Sequence, residues 1–164
     1  MNYIQKVFST TGFLAILLVC FNFQFAYSQE TRYDWEDYGV SFAVPNTHKV
    51  LKNSADEFES GDNLTWLQMY PFKDASVTAK QMVAGIVKEA GMKVMKEGAY
   101  KSGGYDGYWI LSQSSEYPEW EYWYIGFIDP NSDTNFYAVI WYKKGNKKAY
   151  DIANKMSYSF KPIE

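Results

Sequence analysis

The stretch Glu116–Ile128, EYPEWEYWYIGFI, carries Tyr117, Trp120, Tyr122, Trp123, Tyr124 and Phe127 within about one strand's length. From Glu119 onward it alternates. The odd positions are Glu119, Glu121, Trp123, Ile125 and Phe127, polar first and apolar later, the pattern of a strand that enters a core. The even positions are Trp120, Tyr122, Tyr124, Gly126 and Ile128, mostly rings that bury area but keep a polar tip. A sheet covered on one side alternates apolar with polar; a strand apolar on both parities is covered on both. The stretch therefore predicts a sheet with helices on both faces, or an aromatic stripe left partly open. Trp120, Tyr122 and Tyr124 are the candidate ligand-binding residues under the second reading, because Trp and Tyr enrich interfaces and flat rings stack on sugars.

The flanking sequence supplies the rest of the sheet. In YGVSFAVP, Val40, Phe42 and Val44 share one side of a strand that Pro45 ends. Gly61-Asp62-Asn63 is a turn. LTWLQMYPF then alternates, with Leu64, Trp66, Gln68 and Tyr70 on one side and Thr65, Leu67 and Met69 on the other. Ala79, Met82, Val83, Ile86, Val87 and Ala90 recur at helical spacing, with Asp74 or Ser76 as the expected cap and Gly91 as the stop. Four extended segments follow, about Met92–Tyr100, Tyr105–Ser114, Glu119–Ile128 and Asn135–Tyr142. A short helix capped by Asn146 comes next, with Ala149, Ile152, Ala153 and Met156 on its apolar side. Successive strands without crossover helices pair antiparallel. The expected fold class is α+β: one curved antiparallel sheet with two main helices packed on it.

This layout resembles the Mog1/PsbP-like domains found among small exported bacterial proteins. The resemblance rests on YGVSFAVP, on the central helix, on GGYDGYWI at a strand entry and on the closing AYDIANKMSYSF. It spans nearly all of Tyr38–Phe160 and implies an α/β/α sandwich around an antiparallel sheet. It implies binding or assembly roles more than catalysis, and it carries over no functional residue, because fold does not fix function.

The N-terminus reads as a leader. Lys6 precedes the uncharged apolar run Phe13–Phe21, and Ala26-Tyr27-Ser28 is a small-x-small cleavage site. The run is shorter than the ~20 residues a membrane helix needs. Residues 1–28 are thus expected to be a signal peptide, leaving a single domain over 29–164, periplasmic or secreted, with no stable membrane insertion. Cys20 is the single cysteine. Val19 before it is bulkier than the small residue of a lipoprotein site, so cleavage after Ser28 is preferred. The cleaved chain then has no disulfide, no thiolate nucleophile and no cysteine-bound zinc. The net charge is −3. Without a broad basic face, nucleic acid is not an expected partner.

Catalytic patterns are sparse. His48 is the single histidine and has no Gly-x-Ser-x-Gly elbow to serve; an exposed polar role is expected. Glu119 and Glu121 lie about 7 Å apart along one strand side. That falls within the separation of about 5–10 Å used by glycosidase carboxylates, as any strand Glu-x-Glu would. Asp129, Asn131 and Asp133 in DPNSDTN have the 1-3-5 spacing of calcium loops, but Thr134 and Ile140 replace the glycine and acid that complete one. A hairpin loop explains them, and no metal or other cofactor is expected. SGGYDG, Ser102–Gly107, lacks a phosphate-loop lysine and reads as a turn. What remains is the aromatic load of six Trp, 15 Tyr and 11 Phe. The expectation is an exported, non-enzymatic binding or assembly domain for a protein or envelope polysaccharide. A carbohydrate-binding module is the alternative, followed by a carboxylate-dependent glycoside hydrolase.

Overall fold

The computed structural model describes residues 29–72, 76–128 and 135–163; the leader, Asp74 and the 129–134 loop with Asp129, Asn131 and Asp133 lie outside them. The strands are β1 (Glu30–Trp35), β2 (Val40–Pro45), β3 (Lys49–Asn53), β4 (Phe58–Gly61) and β5 (Thr65–Phe72). Helix α1 (Ala79–Glu89) precedes β6 (Lys93–Ser102), β7 (Tyr105–Gln113), β8 (Trp120–Ile128) and β9 (Asn135–Lys143). Helix α2 (Lys147–Ser157) and the short β10 (Lys161–Pro162) end the chain.

Seven strands form one antiparallel sheet in the order β3-β4-β5-β9-β8-β7-β6. Two meanders meet at its centre, where Thr65 pairs with Tyr142 and Phe72 with Asn135. β1, β2 and β10 form a second sheet, so the single sheet expected from the sequence is corrected to two. β1 escaped the sequence reading because only Trp35 of ETRYDW is buried; its pairing to β2 holds it.

The large sheet carries a helix on each face, the first of the two readings that β8 allowed. Its odd residues Ile125 and Phe127 belong to the main core with Phe42, Phe58, Phe136 and Phe160, under α2 and the small sheet. Phe127 lies 4.5 Å from Phe136 and 4.7 Å from Phe160, ring centre to ring centre. Its even residue Tyr124 joins Val83, Val87, Ile110 and Val139 beneath α1. The helix comes so close that a Cβ on Gly126 would stand 2.6 Å from both Met82 Cε and Val83 Cγ2. Glycine is thus required in β8 by the seat of α1.

The cap of α1 differs from expectation. Thr78 Oγ1 accepts from the Gln81 amide at 3.2 Å, and Gln81 Oε1 accepts from the Thr78 amide at 2.9 Å. This Thr-x-x-Gln box satisfies two end donors at once, so Ser76 is not the cap. Asn146 caps α2 as expected, accepting from Ala149 N at 3.0 Å.

His48 is also corrected. Its ring is partly buried, 3.1 Å from Ser60 Oγ and 2.8 Å from Thr65 Oγ1. Both hydroxyls are on residues with no exposed surface. A substrate has no path to them, so the group pins β3, β4 and β5 together and does not resemble a working nucleophile pair. Burial pushes the His48 pKa below its ordinary value, with Asp62 opposing. The neighbouring Asp62 resists its own burial: the Leu64 and Thr65 amides and the Thr47 hydroxyl hold its pKa below the usual range.

Two outcomes follow. Gly126→Ala is expected to cost roughly 1–3 kcal/mol in denaturant unfolding, with partial recovery in Gly126→Ala/Val83→Ala; an unchanged midpoint would place α1 elsewhere. Unfolded His48 takes up a proton near its ordinary 6.5, whereas native His48 resists until lower pH. Stability should therefore be full above that value and fall as pH drops from it toward the depressed native pKa. His48→Gln should flatten that segment of a stability-versus-pH curve.

Candidate functional site: an open aromatic half-face

Helix α1 rests on β7 and β8. α1 reaches β9 at Val139, and among the described residues no helix is centred over the β9 and β5 side of the same face. Strand register places three rings in one row there: Trp66 of β5, Trp141 of β9 and Tyr122 of β8. Trp66 and Trp141 are parallel to within 1° at 5.7 Å, and Trp141 and Tyr122 lie 6.0 Å apart at 30°. A second row, four residues along the strands, holds Tyr70 and Tyr137, stacked at 5.3 Å. Gln68 and Val139 lie between the rows. Trp66, Tyr70, Tyr122, Tyr137 and Trp141 all keep partial exposure. The rows are about 13 Å apart by strand rise, long enough for an extended ligand to cross both.

The rings are held from behind. A Cβ on Gly61 would meet the Trp66 ring at 2.2 Å, so the indole lies flat over that glycine and is fixed by it. The Tyr70 hydroxyl donates to Glu57 Oε1 at 2.9 Å, and Lys52 reaches the other Glu57 oxygen at 2.7 Å. Burial first, and Glu57 second, raise the Tyr70 pKa far above its ordinary value. The hydrogen bond from Lys52 lowers that of Glu57. A charged rail of Lys52, Glu57 and Glu59 thus borders the rings along β3 and β4. The Trp66 and Trp141 indole N–H groups and the Tyr122 and Tyr137 hydroxyls have no protein partner among the described residues. The surface therefore offers flat apolar area with hydrogen-bonding tips around it.

The sequence-derived stripe divides. Tyr124 is 6 % exposed beneath α1, its pKa pushed up to about 12 by burial; it is core and not a contact residue. Tyr122 stays partly open and joins the upper row. Trp120 stands at the strand entrance with the Lys143 ammonium 4.6 Å over its ring, so that ring already carries a cation. Trp66, Tyr70, Tyr137 and Trp141 were not singled out as site residues. Their signal was present as the Trp66-Gln68-Tyr70 and Tyr137-Val139-Trp141 alternations, but their adjacency comes only from the β5–β9 pairing.

The paired carboxylates differ in surroundings. Glu119 lies just before β8 and is exposed, whereas Glu121 accepts a hydrogen bond from the Tyr142 hydroxyl at 2.7 Å. Among the described residues no group of three or more His, Cys, Asp or Glu side chains could hold a metal. No helix among them is long and apolar enough to cross a membrane.

No family model and no curated protein sequence matches the chain. Solved structures are similar at low identity. The Ran-binding protein Mog1p of Saccharomyces cerevisiae is 8 % identical with a TM-score of 0.57, over 84 % of this chain and 97 % of Mog1p. The cyanobacterial PsbP, CyanoP, of Synechocystis is 10 % identical with a TM-score of 0.62, over 85 % of this chain and 95 % of that one. A crystal structure from Bacteroides thetaiotaomicron is 14 % identical with a TM-score of 0.52, over 83 % of this chain and 49 % of that one. Two helices on antiparallel sheets, in the arrangement these structures share, give the chain the Mog1/PsbP-like fold.

Proposed function

We propose that this protein is an exported binding domain without catalytic activity, and that its open aromatic half-face holds an envelope polysaccharide. The observation that carries this reading is the pair of ring rows, Trp66-Trp141-Tyr122 and Tyr70-Tyr137, partly exposed beside α1. Monomeric proteins rarely leave large contiguous apolar patches without a use. The surroundings favour sugar over an apolar protein segment. Sugar rings present C–H faces to aromatic planes and hydroxyls to polar tips, and the open indole N–H and phenol groups supply those tips. The extracytoplasmic location rests on the leader-like residues 1–28, and the absence of a catalytic role on the buried hydroxyls at His48 and on Glu121 already accepting a hydrogen bond from Tyr142.

The test is intrinsic fluorescence and affinity electrophoresis with soluble envelope polysaccharides. A saturable response is expected, weakened about thirtyfold in Trp141→Ala, the loss of roughly 2 kcal/mol typical of a central interface ring. Trp120→Ala should lose less, since Lys143 already covers that ring. A flat response to every glycan, with Trp141-dependent crosslinking to an envelope protein instead, would make the face a protein-docking surface. Release of new reducing ends from a bound glycan, abolished by Glu121→Gln, would overturn the non-catalytic reading.

A further inference from the structure

A second feature lies on the opposite face of the large sheet. Between α2 and the β6–β8 end is a half-open cleft of about 260 Å³. Leu111 and Ile125 contribute apolar surface, and aromatic rings line much of the rest. Trp123 and Tyr150 meet edge to face at 5.6 Å, and Tyr100 and Tyr158 stack at 6.1 Å. Polar groups also line the cleft: Lys96, Trp109 and Trp123 can only donate, whereas Asn154, Ser157 and the tyrosine hydroxyls can also accept. Trp123 Nε1 is buried with no acceptor, the one such side-chain atom among the described residues. Among the described residues Lys96 makes no ion pair, and neither the Asn154 amide nor Trp109 Nε1 has a partner. No carboxylate lines the cleft.

Buried donors without acceptors are costly, and native structures rarely keep them without reason. A small, ring-lined concavity that holds a lysine and donors without partners among the described residues suits a flat ligand that brings acceptors and a negative charge. We propose that this cleft binds a small organic acid, a molecule of one or two rings bearing a carboxylate. The ring lies among Trp109, Trp123 and Tyr150, and the carboxylate oxygens meet Lys96 and the neighbouring donors. The site is separate from the open half-face, which lies across the sheet.

The test is NMR of the purified protein with ¹⁵N-labelled indoles, titrated with benzoate, phenylacetate and indole-3-acetate, each beside its neutral amide. Saturable shifts of the Trp109 and Trp123 N–H resonances are expected with at least one acid. The matching amide should bind about tenfold more weakly, and Lys96→Gln should lose about the same factor for the acid, as for a hydrogen bond to a charged group. Lys96 is exposed, so its replacement should leave the fold unchanged. Immobile Trp109 and Trp123 signals up to about 10 mM of every acid would overturn the proposal. So would equal binding of acid and amide, or a Lys96→Gln variant that binds as well as the parent. The Trp66 and Trp141 signals report the other face, so the outcomes at the two surfaces are read independently.

Discussion

The seat of α1 on Gly126 sets the rest of the large sheet. Without a side chain there, Met82 and Val83 can descend onto β8, and Tyr124, Ile110 and Val139 become a dry layer beneath the helix. The same contact fixes where the helix does not lie. A helix covers only a band about 10 Å wide, so one seated over β7 and β8 reaches β9 at Val139 and, among the described residues, leaves the Trp66, Tyr70, Tyr137 and Trp141 rings beside it only partly covered. The open ring rows are the geometric remainder of a packing decision made by one glycine.

The layered architecture was legible in the chain because it depends on local parity. β8 shows rings and aliphatics on both sides, and that requires two cover layers whatever the connections. Helix α2 and its Asn146 cap were legible for the same reason: all their information lies within a few residues. The α1 cap was in the sequence as Thr78-x-x-Gln81, but nearby Asp74 and Ser76 offered competing oxygens, and only the backbone geometry selects among them. β1 could not be read because its single buried residue, Trp35, makes no pattern. His48 could not be read because both partners, Ser60 and Thr65, reach it by folding of the β3–β5 meander.

The candidate site was half legible. Tyr122 could be named from β8, but Tyr124 could not be told from it, since both occupy even positions and differ only in which lies under α1. Trp66 and Trp141 are far apart in the chain and become neighbours through strand register alone. A pattern within one segment can identify a face; it cannot show which segments extend that face. The sheet's outer edges are easier to explain. β6 carries Lys93, Lys96, Glu97 and Lys101, with a bulge between Val94 and Lys96. Charge and irregularity there discourage another chain from adding a strand.

The strand order has a bearing on how the molecule is made. Its central seam joins β5 to β9, so Thr65 waits for Tyr142 and Phe72 for Asn135. Loop-closure entropy must be met before that seam yields any return. The N-terminal meander therefore has no stable edge partner until nearly the whole chain is free. A chain delivered across a membrane from its N-terminus, as proposed, would present the β9-facing edge of β5 open throughout that interval, with only β4 beside it. Exposed strand edges of that kind are aggregation-prone. The late arrival of β9 would make an exported chain dependent on rapid release at the end of translocation, or on something that shields the open edge of β5 until then.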